Sequence, residues 1–182
     1  MTDAEFEAAV SKIRAGDKAG LRALYEAYGD KMYRLFLSRV HSHQDAEDLT
    51  SELFLKLWEQ AGRYRPGQGH CAWMATIARN MATDFQRHHG RMMPVEDAEA
   101  AAPGALTEHT TAEDTVLGDM QAADILSSLS EDEQEIVRLH IAAELTFREI
   151  AEVLRRPLGT VTWKYRRAMD RLRKLAEEGR LA

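Results

Sequence analysis

Cationic and apolar side chains segregate with helical spacing over residues 158–175. At about 100° per residue, Val161, Ala168 and Leu172 lie on one face, and most of the basic residues lie on the opposite one. Trp163 falls among the basic residues, where a purely solvated surface needs no apolar ring. Cations with an aromatic side chain among them suit a surface that contacts phosphates and base edges together. The segment therefore predicts a nucleic-acid-binding helix, and the alternatives are a solvated cationic helix or a helix that docks an acidic protein.

A helix-turn-helix is predicted around this segment. Residues 146–154 have helical spacing, and Thr146 followed by Glu149 is a capping box. Residues 155–157 form a short turn, from which Pro157 can open the second helix. In such a unit the second helix enters the major groove. We expect base contacts from Thr162, Trp163, Arg166 and Arg167, and phosphate contacts from Arg148, Arg155, Lys164, Arg171 and Lys174.

Two further helices carry polar groups in functional patterns. One spans Asp45 to Glu59 and combines an acidic stripe with a wide apolar arc, which suits a core on one side and a partner helix on the other. The next combines aromatic, amide and basic groups suited to a nucleic-acid strand with exposed bases. The stripe consists of Asp45, Asp48, Glu52 and Glu59, and the strand-binding candidates are Trp73, Arg79, Asn80, Asp84, Arg87 and Arg91.

Metal or nucleophilic chemistry finds little support in the sequence. Imidazole, thiolate and carboxylate groups occur together, but their spacing matches no closed zinc pattern. Cys71 has a neighbouring histidine and no evident third partner. We therefore expect no catalytic residues, no metal and no cofactor. The residues weighed as a metal cluster are His41, His43, Asp45, His70 and Cys71.

Composition and periodicity favour an all-α protein with two small domains. The 182 residues carry a net charge of −6, which is segregated along the chain: residues 94–137 contain no Lys or Arg, whereas residues 155–174 hold eight basic residues. Apolar spacing is helical almost throughout. Tyr25, Tyr28, Met32 and Leu35 are expected in the core. We predict a domain over 1–92, an acidic flexible linker over 93–114 and a helix-turn-helix domain over 115–182.

The single cysteine excludes an intramolecular disulfide framework and favours a reducing compartment. Acidic residues occupy the start of the chain, where a secretory signal needs basic ones, and no apolar run approaches the length of a membrane span. We therefore expect a cytoplasmic protein without a membrane span.

Three motifs in order give the sequence a resemblance to the extracytoplasmic-function sigma factors of bacteria. They are DAEDL-x-x-E-x-FL-x-LW, then AW-x-x-TIARN-x-x-x-D, then EIAE-x-L with GTV and RA-x-x-RL-x-K. The resemblance covers roughly residues 21–91 and 125–175. It implies a non-catalytic subunit that binds core RNA polymerase and gives it promoter recognition and strand opening. Where family members often have Phe-Arg, this chain has His70 and Cys71.

The resemblance also implies partners and positions. The polymerase would be bound through the clamp helices of its largest subunit and, for the C-terminal domain, its flap. Promoter DNA would be bound at the −10 and −35 elements, and an anti-sigma factor is a candidate for a further partner. The polymerase-facing residues would be Asp45, Asp48, Leu49, Glu52 and Phe54. The −10 residues would be Trp73, Arg79, Asn80, Asp84 and Arg87. The −35 residues would lie in the segment from Gly159 to Arg167, which includes Thr160.

Other functions remain open on the sequence alone. The chain could be a stand-alone helix-turn-helix regulator whose N-terminal helices sense a partner, or a decoy that binds polymerase without initiating transcription. Thr50 and Ser51 adjoin the acidic stripe, and a phosphate there would add up to about two negative charges, although ordinary polar positions are the simpler interpretation. A regulator should bind duplex DNA alone, whereas a sigma factor should need polymerase.

Overall fold

The computed structural model describes residues 1–67, 69–89 and 126–178, and every extended regular element within them is a helix, which confirms the all-α prediction. A short 3-10 turn, Ala61–Arg63, follows the third helix. The predicted linker and Arg91 lie outside the described residues. The helices are α1 (Asp3–Arg14), α2 (Lys18–Val40), α3 (His43–Gln60), α4 (His70–His89), α5 (Glu131–Ile141), α6 (Phe147–Leu154) and α7 (Leu158–Glu178).

Helix starts coincide with capping residues in the sequence. The backbone N–H of Thr146 donates to the Glu149 carboxylate at 2.7 Å, and the N–H of Glu149 donates to the Thr146 hydroxyl at 3.3 Å. Ser130 and Glu133 form the corresponding box at α5. Each such cap contributes about 1 kcal/mol because it satisfies donors that the helix itself leaves unpaired. Both predicted capping boxes are confirmed.

Helices α1 to α4 pack around one apolar core. Phe6, Leu24, Phe36 and Leu53 are fully buried there. At Gly20 a Cβ atom would lie 2.3 Å from the Ala9 carbonyl oxygen, so α1 and α2 can cross this closely only with glycine at that position. The bundle gives α3 and α4 fixed positions, with one face of each buried.

Tyr25 departs from the expected core. Tyr28, Met32 and Leu35 are buried as predicted, but Tyr25 is 52% exposed, and its ring lies tilted against that of Phe54 with centroids 4.9 Å apart. The α2 stripe that faces the core is narrower than the apolar stripe in the sequence. Helical periodicity gives the direction of the core without giving its width.

The second unit contains the predicted helix-turn-helix. Helix α6 ends at Leu154. The next residue, Arg155, adopts a left-handed φ of 50°, and the N–H of Arg156 donates to the Ala151 carbonyl at 2.9 Å. Pro157 lies just before α7 and its carbonyl accepts from Thr160 at 3.0 Å. Proline therefore stands in the capping position instead of the first helical one, because α7 begins one residue later, at Leu158.

An ion pair between a buried carboxylate and an exposed arginine joins α5 to α7. Glu133 is 1% exposed, and its carboxylate accepts from Arg167 Nε at 2.6 Å and from Ser130. Burial alone would raise the pKa of Glu133, but the hydrogen bonds from Arg167 and Ser130 outweigh it and lower the pKa to about 2, from an ordinary value of 4.5. The charged carboxylate is therefore the form that the fold stabilises.

We predict that the C-terminal unit loses stability between pH 4.5 and about pH 2. A depressed pKa contributes stability above the unfolded value and loses it as pH falls through the folded one, here about 3 kcal/mol. Thermal unfolding followed by circular dichroism should show Glu133→Gln losing most of this pH dependence. Glu131→Gln, an exposed position on the same helix, should keep it. Equal pH profiles for the wild type and Glu133→Gln would contradict the assignment.

Candidate polymerase and nucleic-acid interfaces

The outer face of α7 exposes the indole ring of Trp163 and the guanidinium of Arg167 to solvent. Trp163 is 55% exposed, and the Arg167 Cζ atom lies 4.9 Å from its ring centroid. Arg166 is exposed as well. Thr162 is half-buried and its hydroxyl donates to the Leu158 and Gly159 carbonyls of its own helix, both at 3.1 Å. Trp163 and Arg166 are therefore the side chains best placed to reach base edges.

Three cations predicted to contact DNA are paired within the domain. Lys164 binds Asp132, Arg167 binds Glu133, and Arg171 Nη1 donates to the Ser128 carbonyl at 3.1 Å. These contacts tie α7 to the start of α5. A DNA phosphate would have to share or replace these partners. Besides Trp163 and Arg166, the predicted positions that are not tied in this way are Arg148, Arg155, Gly159 and Lys174, which are exposed, and Thr160, which is half-buried.

The acidic stripe of α3 contains an exposed leucine. Asp48, Glu52 and Glu59 are exposed, and Leu55 follows Glu52 by three residues on the same face with 61% of its surface exposed. Glu52 pairs with Lys56 at 2.9 Å. Single exposed apolar side chains are common on protein surfaces, but an interface has an apolar centre within a polar rim, so Leu55 between these carboxylates is a candidate centre for one.

Sequence reasoning missed Leu55 and selected two neighbours that are buried. Leu49 and Phe54 belong to the core, so their side chains position α3 and are covered in this structure. Asp45, at the start of the helix, is half-buried. The signal for Leu55 was available, because a helical wheel places it in line with Asp48, Glu52 and Glu59.

Thr50 and Ser51 differ in accessibility. Thr50 is buried, and its hydroxyl donates to the Ala46 carbonyl at 2.6 Å. Ser51 is exposed. A kinase could reach the Ser51 hydroxyl in this structure but not that of Thr50.

Helix α4 presents a mixed polar and aromatic face. Asn80 is exposed, and Asp84 pairs with Arg87 at 3.0 Å, both exposed. Trp73 is half-buried, with its ring 5.2 Å from the ring of Tyr64. The helix therefore combines a fixed ring with exposed amide and charged groups, as capture of a strand requires.

Arg79 is held by the second domain. Its Nε donates to Glu135 Oε1 at 3.0 Å, and the other carboxylate oxygen of Glu135 accepts from Arg39. Glu135 comes from α5 and is buried. Burial lowers the pKa of Arg39, and the carboxylate of Glu135 opposes that effect. This contact between domains was not predicted from the sequence.

His70 has a structural role at the start of α4. Its Nε2 lies 2.5 Å from the Tyr28 hydroxyl, its Nδ1 lies 2.5 Å from Asp3 Oδ1, and its ring stacks on Phe6 at 4.7 Å. Burial, together with the carboxylate of Glu149, raises the pKa of the neighbouring Cys71 thiol to about 11. Both ring nitrogens of His70 have partners, and the thiol is not activated, so these two residues support packing and not metal or nucleophilic chemistry.

Two family models match the chain in order. Residues 24–92 match Sigma-70 region 2, and residues 125–174 match Sigma-70 region 4. The ECF RNA polymerase sigma factor BldN of Streptomyces coelicolor is 31% identical over 176 residues, which are 94% of this chain and 66% of that protein. The chain is an extracytoplasmic-function sigma factor. The ECF RNA polymerase sigma-E factor of Haemophilus influenzae is 29% identical over 173 residues, covering 90% of this chain and 91% of that one.

A solved structure supports the fold. The sigma factor RpoE in complex with the anti-sigma factor NepR, from Bartonella quintana, superposes with a TM-score of 0.65 at 23% identity, covering 88% of this chain and 98% of that one. As a sigma factor, this chain is not an enzyme: it binds core RNA polymerase and directs promoter recognition, DNA melting and transcription initiation. Among the helices of the described ranges, none has the length and apolar character needed to cross a bilayer.

Proposed function

We propose that this sigma factor uses three separate surfaces to bind polymerase, the −10 strand and the −35 duplex. The acidic stripe of α3, with Leu55 at its centre, binds the clamp helices of the largest polymerase subunit. Helix α4 captures the melted −10 strand through Trp73, Arg79 and Asn80. Helix α7 reads the −35 duplex through Trp163 and Arg166, and its domain contacts the polymerase flap.

The observation that carries this proposal is the separation of exposed charge between helices. Exposed carboxylates lie along α3, whereas exposed cations lie along α7. The basic face attracts duplex DNA, and the acidic face, which binds protein, repels it. Charge therefore directs each partner to its own surface. The overall charge of −6 opposes DNA binding by the free chain, so polymerase has to bring both domains to the promoter.

The domain limits and the compartment follow from the same proposal. We assign the polymerase and −10 functions to residues 1–92, the connection to an acidic linker over 93–114, and the −35 function to residues 115–182. The protein acts in the cytoplasm, because its polymerase and promoter are there. The complex of the Bartonella quintana relative with an anti-sigma factor supports an anti-sigma partner for this chain. An exposed ring such as Trp163 is a suitable docking point for it.

Arg166 and Lys174 provide a test of the duplex-reading surface. Both are exposed on α7, but Arg166 lies about two turns into the helix and Lys174 about two turns further on, near its end. With reconstituted holoenzyme and a library of −35 sequences, Arg166→Ala should relax base preference and cost about 1–3 kcal/mol on the best site. Lys174→Ala should weaken all sites about equally. Unchanged preference in Arg166→Ala would remove this residue from base reading.

A further inference from the structure

The basic surface of the helix-turn-helix is partly neutralised by carboxylates from the start of α5. Lys164 Nζ donates to Asp132 Oδ2, and Nη2 of Arg156, in the turn before α7, lies 3.4 Å from the same oxygen. Arg167 Nε pairs with Glu133, the next residue of α5, at 2.6 Å. Three cations of this unit therefore have an anionic partner before any DNA is bound.

The two carboxylates differ in what it costs to break their ion pairs. Glu133 is 1% exposed, and separating it from Arg167 would leave a buried charge without its partner, which is strongly destabilising. The side chain of Asp132 is 49% exposed, so water can solvate the carboxylate when its cations leave. Exposed ion pairs contribute little to stability. Duplex DNA can therefore displace Asp132 from its cations, whereas Glu133 keeps Arg167.

Asp132 competes with DNA for the donors of Lys164 and Arg156. The hydrogen bond from Lys164 lowers the pKa of Asp132 below its ordinary value of 3.8, so the carboxylate is ionised at neutral pH. Lys164 directly follows Trp163 on α7, and Arg156 lies in the turn that precedes this helix. Both cations are thus close to the surface proposed to read the duplex. Each of them has to be released or shared by Asp132 before it can bind a phosphate.

We propose that Asp132 is an internal competitor of the DNA backbone, which lowers the affinity of α7 for duplex DNA of any sequence without changing its base preference. This inference rests on the proposed function of α7 as the −35 reader. Binding to random DNA depends on phosphate contacts, whereas base preference depends on exposed side chains such as Arg166. Asp132 thus reduces binding of the free sigma factor to random DNA, and the promoter complex has polymerase contacts to offset the loss.

The test compares Asp132→Asn with Glu131→Gln in the full chain. Both substitutions remove one negative charge from an exposed position in the first turn of α5, and both residues line the same cleft beside Arg156. Fluorescence anisotropy at low salt, with a short labelled duplex of random sequence, measures the affinity. Asp132→Asn should bind this duplex about three- to tenfold more tightly than Glu131→Gln, because two exposed ion pairs no longer oppose binding.

A double-mutant cycle tests whether Asp132 acts through Lys164. If the carboxylate withholds this cation from phosphate, Lys164→Ala should weaken duplex binding by less than about twofold in the wild-type chain and by about fivefold in the Asp132→Asn chain. In the Glu131→Gln chain the cost should equal that in the wild type.

Holoenzyme on a library of −35 sequences gives a second readout. Asp132→Asn should bind every site more tightly than the wild type does, with the sites in the same order of preference. A residue that contacts or positions a base-reading side chain would instead change that order.

Any of three results would overturn the inference. Equal affinities of Asp132→Asn and Glu131→Gln for the random duplex, or an equal cost of Lys164→Ala in all three chains, would mean that Asp132 contributes only its charge. Weaker binding by Asp132→Asn would mean that the carboxylate directs Lys164 toward the phosphates. A changed order of preference in the library would make Asp132 part of base reading. Failure of the proposed −35 function appears separately, as unchanged base preference in Arg166→Ala.

Discussion

Replacing Leu55 with alanine is expected to weaken binding to core RNA polymerase by about tenfold or more while leaving the thermal unfolding midpoint unchanged. The side chain is 61% exposed, so its loss leaves no cavity in the core. A few central, well-packed residues of an interface each cost more than about 1 kcal/mol when they are truncated, and about 1.4 kcal/mol corresponds to a tenfold change in affinity. Asp48, Glu52 and Glu59 supply the polar rim around Leu55.

A matched control separates this effect from a general loss of apolar surface. Leu158→Ala makes the same truncation at a side chain that is also exposed, but at the start of α7 and far along the chain from α3. Binding of labelled core polymerase in the absence of DNA should be normal in Leu158→Ala and impaired in Leu55→Ala. A wild-type affinity for core polymerase in Leu55→Ala would exclude Leu55 from the polymerase contact.

Replacing Asn80 with alanine is expected to slow open-complex formation by holoenzyme about tenfold. The amide is exposed in the free protein and offers both a donor and an acceptor to an unstacked base. Its loss leaves the base edge without a partner, at a cost of about 1–3 kcal/mol. Permanganate reactivity of promoter thymines measures strand opening directly.

The control for Asn80 is Thr83→Ala on the same helix. The Thr83 hydroxyl donates to the Arg79 carbonyl at 2.9 Å and so is satisfied within α4. Both variants should bind core polymerase normally, because α3 is unchanged. Wild-type strand opening in Asn80→Ala would show that this residue takes no part in strand capture.

Local features of this fold could be predicted from the sequence, because their partners are close along the chain. Thr146 and Glu149 are three residues apart, and the helix that they cap lies where their spacing predicts it. The turn before α7 is equally local, although the position of Pro157 differs by one residue. Helical periodicity likewise gave the buried faces of α2 and α3 apart from Tyr25.

The contacts that decide accessibility join residues far apart in the chain. Arg79 and Glu135 are separated by 56 positions, and each is an ordinary exposed charge on a helical wheel. The pairs that Lys164 and Arg167 form with α5 were not predicted either, because their partners are also distant in the sequence. Periodicity assigns a side chain to a face of its helix, but only tertiary packing determines what covers that face.

Transcription reconstituted from core polymerase and a promoter library tests the central claim most directly. We expect this chain to direct initiation at a defined set of promoters with one −10 and one −35 motif at fixed spacing, and to bind the same DNA weakly without polymerase. Tight binding of a duplex site by the chain alone, with no specific initiation when core polymerase is added, would contradict the account and indicate a stand-alone helix-turn-helix regulator.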